Sequence, residues 1–343
     1  MRVRLKPLSE QVIVITGATS GIGLSTARMA ASRGARLVLA ARNEAALKTI
    51  SQDLAGKRAQ VAYVVADVGD RAAVERVAKA AIDRFGGFDT WINNAGVGLY
   101  GALADVSLED HRRLFETDYW GVVHGSLLAA EHLSQRGGAI INVGSLLGEV
   151  SAPLHGPAAA AKHAMRAFTA SLRMEMIRAR APVSVTLIRP GAVDTPFSEN
   201  ARSYLDGVWP TPEPIYAAPL VAQTILHAAE HPVRQMTVGG ATATLALLGR
   251  TFPGLAEWAA NGLVPRLRNR APGDKPRPDN LHRPLHDLRE RAWRPKVREQ
   301  SLAVAAQMRP ASTATLILAA GAITIGGIIL GLRLRRPARD LQD

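Results

Sequence analysis

No cysteine occurs anywhere in the 343 residues, and aromatic side chains make up only 5% of them. The first absence excludes a disulfide framework, thiolate catalysis and cysteine-type zinc sites together, and leaves the redox compartment open. The second, beside a hydrophobic content of 47%, means that the core is mostly Ala, Val, Leu and Ile, as in a parallel sheet covered by helices. The N-terminus, MRVRLKPLSEQVIVITG, lacks the long apolar stretch of a signal peptide and reaches a glycine-rich turn almost at once.

Negative charge is also scarce, so the chain carries a net charge of +13. The excess is local: residues 266–310 hold 12 Lys or Arg against 5 Asp or Glu, and residues 333–343 hold 4 against 2. No helix-turn-helix, finger or RNP pattern accompanies this charge, which argues against nucleic-acid binding. Its place before an apolar segment suits anionic lipid headgroups better.

What is present from residue 11 to about 240 is an alternation of short apolar runs and Ala-rich helical patterns. The runs are 11–16, 35–41, 60–66, 89–94, 138–145, 183–190 and 234–240. This rhythm predicts an α/β domain over 1–250, a Rossmann-like doubly wound parallel sheet of about seven strands. Residues 195–219 break it with five prolines among Phe197, Tyr204, Trp209 and Tyr216. They read either as a surface loop with packed aromatics or as a lid over an apolar substrate.

Residues 251–310 form a basic, Pro- and Arg-rich extension, which after about residue 265 reads as linker with at most a short helix. The run 311–332 then has 22 residues without a charge, followed by a basic tail over 333–343. It is a transmembrane candidate, with a buried terminal helix or an interfacial segment as the other readings. Within it, Gly327 and Gly331 have GxxxG spacing. The resulting expectation is a cytoplasmic nucleotide-binding domain attached to a lipid bilayer by a C-terminal helix.

The run 11–16 leads into Thr16-Gly17-Ala18-Thr19-Ser20-Gly21-Ile22-Gly23, followed by a helical pattern. Glycines there let the backbone turn sharply and approach a pyrophosphate, while the helix start offers free N–H groups and the positive end of its dipole. A carboxylate is missing where an NAD site places one, about 20 residues beyond the turn. Ala41 and Arg42 stand there instead, and an arginine suits the 2′-phosphate of NADP(H).

With TGATSGIG at 16–23, Asp67-Val68, Asn93-Asn94-Ala95-Gly96, INVGS at 141–145, Lys162, and Arg189-Pro190-Gly191 with Thr195 after it, the chain resembles the short-chain dehydrogenase/reductase family over residues 9–240. The resemblance implies hydride transfer between NADP(H) and a carbonyl or alcohol, here a lipophilic one, and a homo-oligomer. It places Asp67 and Val68 at the adenine, Asn94, Ala95 and Gly96 beside the cofactor, and Pro190, Gly191 and Thr195 beside the nicotinamide.

The family's Asn-Ser-Tyr-Lys tetrad is only half present. Ser145 and Lys162 match, but Ala158 stands at the tyrosine position and Asp118 at the asparagine position. A methyl group neither gives nor takes a proton, and positioned acid-base catalysis is typically worth about 10²- to 10⁴-fold. The expectation is therefore an impaired or altered oxidoreductase, or else a catalytically silent NADP(H)-binding sensor or scaffold. Tyr100 and His155 are the substitutes nearest the expected pocket; Tyr119 and His163 each follow a tetrad position on a helix and face elsewhere. No metal site is expected.

Overall fold

The computed structural model describes residues 3–205, 211–262, 277–285 and 288–309. Each of the seven apolar runs forms a strand: β1 (Val12–Thr16), β2 (Arg36–Ala41), β3 (Val61–Val65), β4 (Thr90–Asn93), β5 (Gly138–Val143), β6 (Val183–Pro190) and β7 (Gln235–Val238). They pair in parallel in the order β7-β6-β5-β4-β1-β2-β3. Chain direction across the sheet therefore reverses between β1 and β4, and a crevice opens there at the carboxyl ends of the strands.

Strand periodicity sends alternate residues to opposite faces. Ile13 and Ile15 join Leu24 and Ala27 of α1 (Gly21–Ser32) and Leu47 and Ile50 of α2 (Glu44–Gly56) in one core layer. Val12 and Val14 join the opposite layer, with Val74 and Val77 of α3 (Arg71–Phe85), Leu133 of the helix Gly121–Arg136, and Leu172 of the helix Gly156–Arg178. The helices start where side chains satisfy free N–H groups. Asn43 accepts from Ala46 N, Asp70 from Ala72 N and Ser107 from Asp110 N, the last opening α4 (Leu108–Phe115). A single π-turn, Glu116–Trp120, joins α4 to α5 (Gly121–Arg136), and α6 spans Gly156–Arg178.

One polar network threads the second layer. Asn93 Nδ2 donates to Asn142 Oδ1 (2.8 Å) and Ser126 Oγ (3.0 Å), Trp91 Nε1 donates to Asn93 Oδ1 (2.8 Å), and Asn142 Nδ2 donates to Thr169 Oγ1 (2.9 Å). It fixes β4, β5, α5 and α6 relative to one another, because an unmatched polar group at this depth is costly.

In the described residues 277–285 and 288–309, the extension is not the linker expected from its composition. Val297–Arg298 pairs in parallel with Ile215–Tyr216, which pairs with Ala192–Asp194. A helix at Leu302–Met308 then covers the β7 edge, where the Gln307 side chain takes the place of a neighbouring strand: its Oε1 accepts from Thr237 N and its Nε2 donates to Thr237 O, both at 2.8 Å. Prolines and charges remain compatible with order here because distant residues of the sheet domain anchor them.

The expected membrane helix and membrane attachment are corrected. Among the described residues no helix is long and apolar enough to cross a membrane, and 311–332, with the tail after it, lies outside the described residues. The longest described helix, α6, has 23 residues but carries Lys162, Arg166, Arg173, Glu175 and Arg178, whereas a candidate spanning helix has few charges or none.

Gly125 tests the network. A Cβ there would lie 2.2 Å from Asn93 Oδ1 and 2.6 Å from Trp91 Nε1, and neither atom can retreat without losing its partners. Gly125→Ala is expected to lower unfolding free energy by about 1–3 kcal/mol, measured by denaturant titration; a variant as stable as the wild type contradicts this role.

Candidate active site

The turn after β1 is held against the end of β4. Thr16 Oγ1 accepts from Asn94 N (3.0 Å) and Ala95 N (3.1 Å), and the Asn94 side-chain amide donates to Thr16 O (3.0 Å) and Gly17 O (3.1 Å). Two glycines are required by this approach. Gly17 has φ +65°, and a Cβ on it would sit 2.7 Å from Ala95 Cα; one on Gly23 would sit 2.1 Å from Gly17 O. The backbone can therefore fold under the start of α1 and leave its N-terminus facing the crevice.

That crevice is a cleft of about 640 Å³, within the usual range of ligand sites. Gly17, Thr19, Ser20, Gly21 and Ile22 line its floor, and Arg42, Asp67 and Val68 the end beside β2 and β3. Asn94, Ala95 and Gly96 form the back wall, with Pro190, Gly191 and Thr195 opposite. Gly23 is behind the floor, packed under Gly17. A glycine cradle that any Cβ would fill, a helix N-terminus and a basic group at the β2 end fit a dinucleotide.

At that end, Arg42 does not stand free. Its Nη1 donates to Leu281 O (3.1 Å) and its Nη2 to Asn280 O. Arg113, on α4, donates from Nε to the same Leu281 oxygen (3.0 Å) and from Nη2 to Asp67 Oδ2 (2.5 Å). Burial holds the Arg42 guanidinium below its ordinary value, opposed by Asp67 and reinforced by Arg113. Sequence reading missed Arg113, which looks like any charge on the solvated face of LEDHRRLF, and missed the extension's part in the site. The cleft includes Asn280, Pro284 and Leu285.

Ser145, Ala158, Asp118 and Lys162 all line the same cleft. Ser145 follows β5, with its Oγ accepting from Leu147 N (3.1 Å). Lys162 lies on α6, four residues and one turn beyond Ala158, so both face one way. Asp118 sits in the π-turn, a local widening often found where a helix presents a functional group. Its Oδ1 accepts from Val97 N (2.8 Å), and its Oδ2 lies 2.8 Å from Lys162 Nζ, with the two side chains 1% and 12% exposed. The two side chains thus form an ion pair that is almost wholly buried.

Among the substitute proton donors, Tyr100 and His155 line the cleft, edge to face at 5.0 Å. Burial pushes the Tyr100 phenol up, against Ser198 and Arg294, and pushes the His155 imidazole down, against its bond to Pro153 O. Each is thereby kept neutral. Tyr119 packs with Phe115 and Phe168, and His163 Nδ1 bonds to Ala159 O (2.9 Å). Of the loop aromatics, Tyr204 donates to Asp110 Oδ2 (2.9 Å) and Tyr216 is in the core. Phe197 lines the cleft together with Pro196, Pro212 and Pro214; Trp209 lies outside the described residues.

The Asp118–Lys162 pair generates a prediction. Asp118→Ala leaves a nearly buried ammonium without its counter-charge and is expected to cost about 3–5 kcal/mol of unfolding free energy. Asp118→Asn, which keeps an acceptor for Val97 N–H, is expected to cost less. Equal stability of Asp118→Ala and wild type in denaturant titration contradicts the pairing.

Comparison with known proteins agrees with this geometry. Residues 11–206 match the family model described as short chain dehydrogenase. An uncharacterized oxidoreductase, YxnA, from Bacillus subtilis (strain 168) is 49% identical over 264 residues, 75% of this chain and 73% of the relative. The crystal structure of a short chain dehydrogenase/reductase from Burkholderia phymatum in complex with NAD superposes with a TM-score of 0.67 at 30% identity, over 74% of this chain and 97% of that one. An alcohol dehydrogenase from the archaeon Thermococcus sibiricus, complexed with 5-hydroxy-NADP, gives 0.60 at 27% identity, over 66% and 95%. With the sheet order, the glycine cradle and the family match all in agreement, the chain belongs to the short-chain dehydrogenase/reductase family of oxidoreductases.

Proposed function

We propose that this chain is an NADP(H)-dependent oxidoreductase acting on a lipophilic carbonyl or alcohol, with its acid-base step weakened by Ala158. The observation that carries the reading is the convergence of the glycine cradle, Arg42, Ser145 and Lys162 on one cleft. Arg42 at the β2 end supports the phosphorylated cofactor, since it offers donors to a 2′-phosphate and repels no part of it. Phe197, Leu147, Val150 and Leu245 give the remainder of the cleft an apolar wall, which supports a lipophilic substrate.

When bound, the nicotinamide supplies or accepts the hydride. The rest falls to side chains of this chain. Ser145 Oγ donates a hydrogen bond to the substrate oxygen and stabilises the charge that develops on it. Lys162, paired with Asp118 at 2.8 Å, would bind the ribose and add positive potential. Ala158 supplies no proton, so the alkoxide takes one from water in the space beside that methyl group. A second reading, a silent NADP(H)-binding protein, is favoured by the same pair, because a lysine committed to a carboxylate no longer tunes a phenol.

Two measurements test this. Calorimetric titration of the full chain is expected to show NADPH binding about tenfold or more tighter than NADH, as loss of a charged hydrogen bond implies; binding of neither sinks the reading. Ala158→Tyr, assayed with NADPH and a panel of apolar ketones, is expected to raise turnover about 10²- to 10⁴-fold. Intact NADPH binding without any gain in turnover favours the silent reading.

A further inference from the structure

The extension meets the cleft at Asn280, Pro284 and Leu285, which line it, and at Arg289, which bonds to Gly21 of its floor. The stretch 277–285 is tied down by Arg202 on Asp279 (2.9 Å), His282 Nε2 on Asp110 Oδ1 (2.7 Å) and Asn280 N on Asn200 O (2.8 Å). Arg289 O then accepts from Gly21 N (2.9 Å), the first N–H of α1. Beyond it, the wholly buried Asp194 accepts from Arg291 Nε (2.8 Å), Ala292 N (3.2 Å) and Arg294 N (3.1 Å). The second half is thus anchored on a wholly buried carboxylate, whereas the first half is held by polar pairs, by Arg42, Arg113 and Asn43 on its backbone carbonyls, and by buried Leu281.

What the first half covers is a pair of guanidinium groups. Arg42 and Arg113 converge on the carbonyl oxygen of Leu281, and Arg42 also holds that of Asn280. Two cations sharing one neutral amide oxygen, with Asp67 as the counter-charge bonded to Arg113, leave net positive charge and poorly matched donors. A phosphate ester brings several anionic oxygens, which add charge attraction to each arginine bond and can accept from a guanidinium fork in bidentate fashion. The planar fork of arginine suits that group in particular.

We propose that Arg42 and Arg113 together form the clamp for the cofactor's 2′-phosphate, and that the carbonyls of Asn280 and Leu281 hold the phosphate's place until it enters. Arg113 is then a specificity-determining residue, and residues 277–285 are a strap that the phosphorylated cofactor displaces. This rests on the NADP(H) reading above and extends it to a residue and a segment that the glycine turn and the tetrad do not reveal. NADH, which has a hydroxyl at that position, gains too little from the two arginines to lift the strap. The strap thereby adds to the discrimination, since the competent state must first be populated.

The test uses the full chain. NADPH and NADH are titrated separately into wild type, Arg113→Ala and Arg113→Lys, and hydrogen exchange of 277–285 is followed with each. Arg113→Ala is expected to weaken NADPH about tenfold or more while NADH changes less than about threefold, with partial recovery in Arg113→Lys. Exchange in 277–285 is expected to rise with NADPH and not with NADH. A purely structural role of Arg113, holding Asp67 beside an adenine common to both cofactors, would weaken both alike and overturn the clamp. Exchange in 277–285 that falls or stays unchanged with NADPH overturns the displacement. If wild type binds neither, the NADP(H) reading fails as well; if wild type prefers NADPH and Arg113→Ala preserves that preference, the clamp alone fails.

Discussion

The side-chain amide of Asn94, donating to the carbonyls of Thr16 and Gly17, is the contact on which the cleft depends. It closes β1 against β4 where the sheet changes direction, and Gly17 and Gly23 are needed because no Cβ fits in the space it leaves. Everything chemical is then placed by the parallel sheet itself. Strand ends at Thr16, Ala41, Asn93, Val143 and Pro190 all lie on one edge, so the residues following them share one crevice.

One lysine, one carboxylate and one methyl group fit together in the cleft. Ala158 offers no group to exchange a proton, and Asp118 supplies Lys162 with a partner of opposite charge at 2.8 Å. Because the carboxylate also accepts from Val97 N, the pair keeps the local backbone that an asparagine would hold. The cleft thus brings a serine hydroxyl and an ion-paired lysine together beside a methyl group that offers no proton.

The sheet was legible because its strands are short, Val- and Ile-rich and bounded by turns, and each was located within about two residues. The cradle was legible because glycine spacing reports backbone geometry directly. Arg113 was not, since an arginine among the charges of α4 carries no mark of what approaches it from residue 281. The extension was misread for the same reason: its order comes from Asp194, Asp110 and Arg42, about 100 to 240 residues away, and composition registers only its prolines and charges. The apolar run 311–332 gave a strong local signal, yet among the described residues no helix can cross a membrane.

The central claim is that this cleft receives a nicotinamide dinucleotide along its whole length, from the α1 N-terminus to the loop after β6. Hydrogen exchange of the full chain, with and without saturating NADPH, tests it at residues 17–24 and 190–195. The account predicts slower exchange in both stretches, because a pyrophosphate covers the first and a nicotinamide the second. Unchanged exchange in both would contradict it.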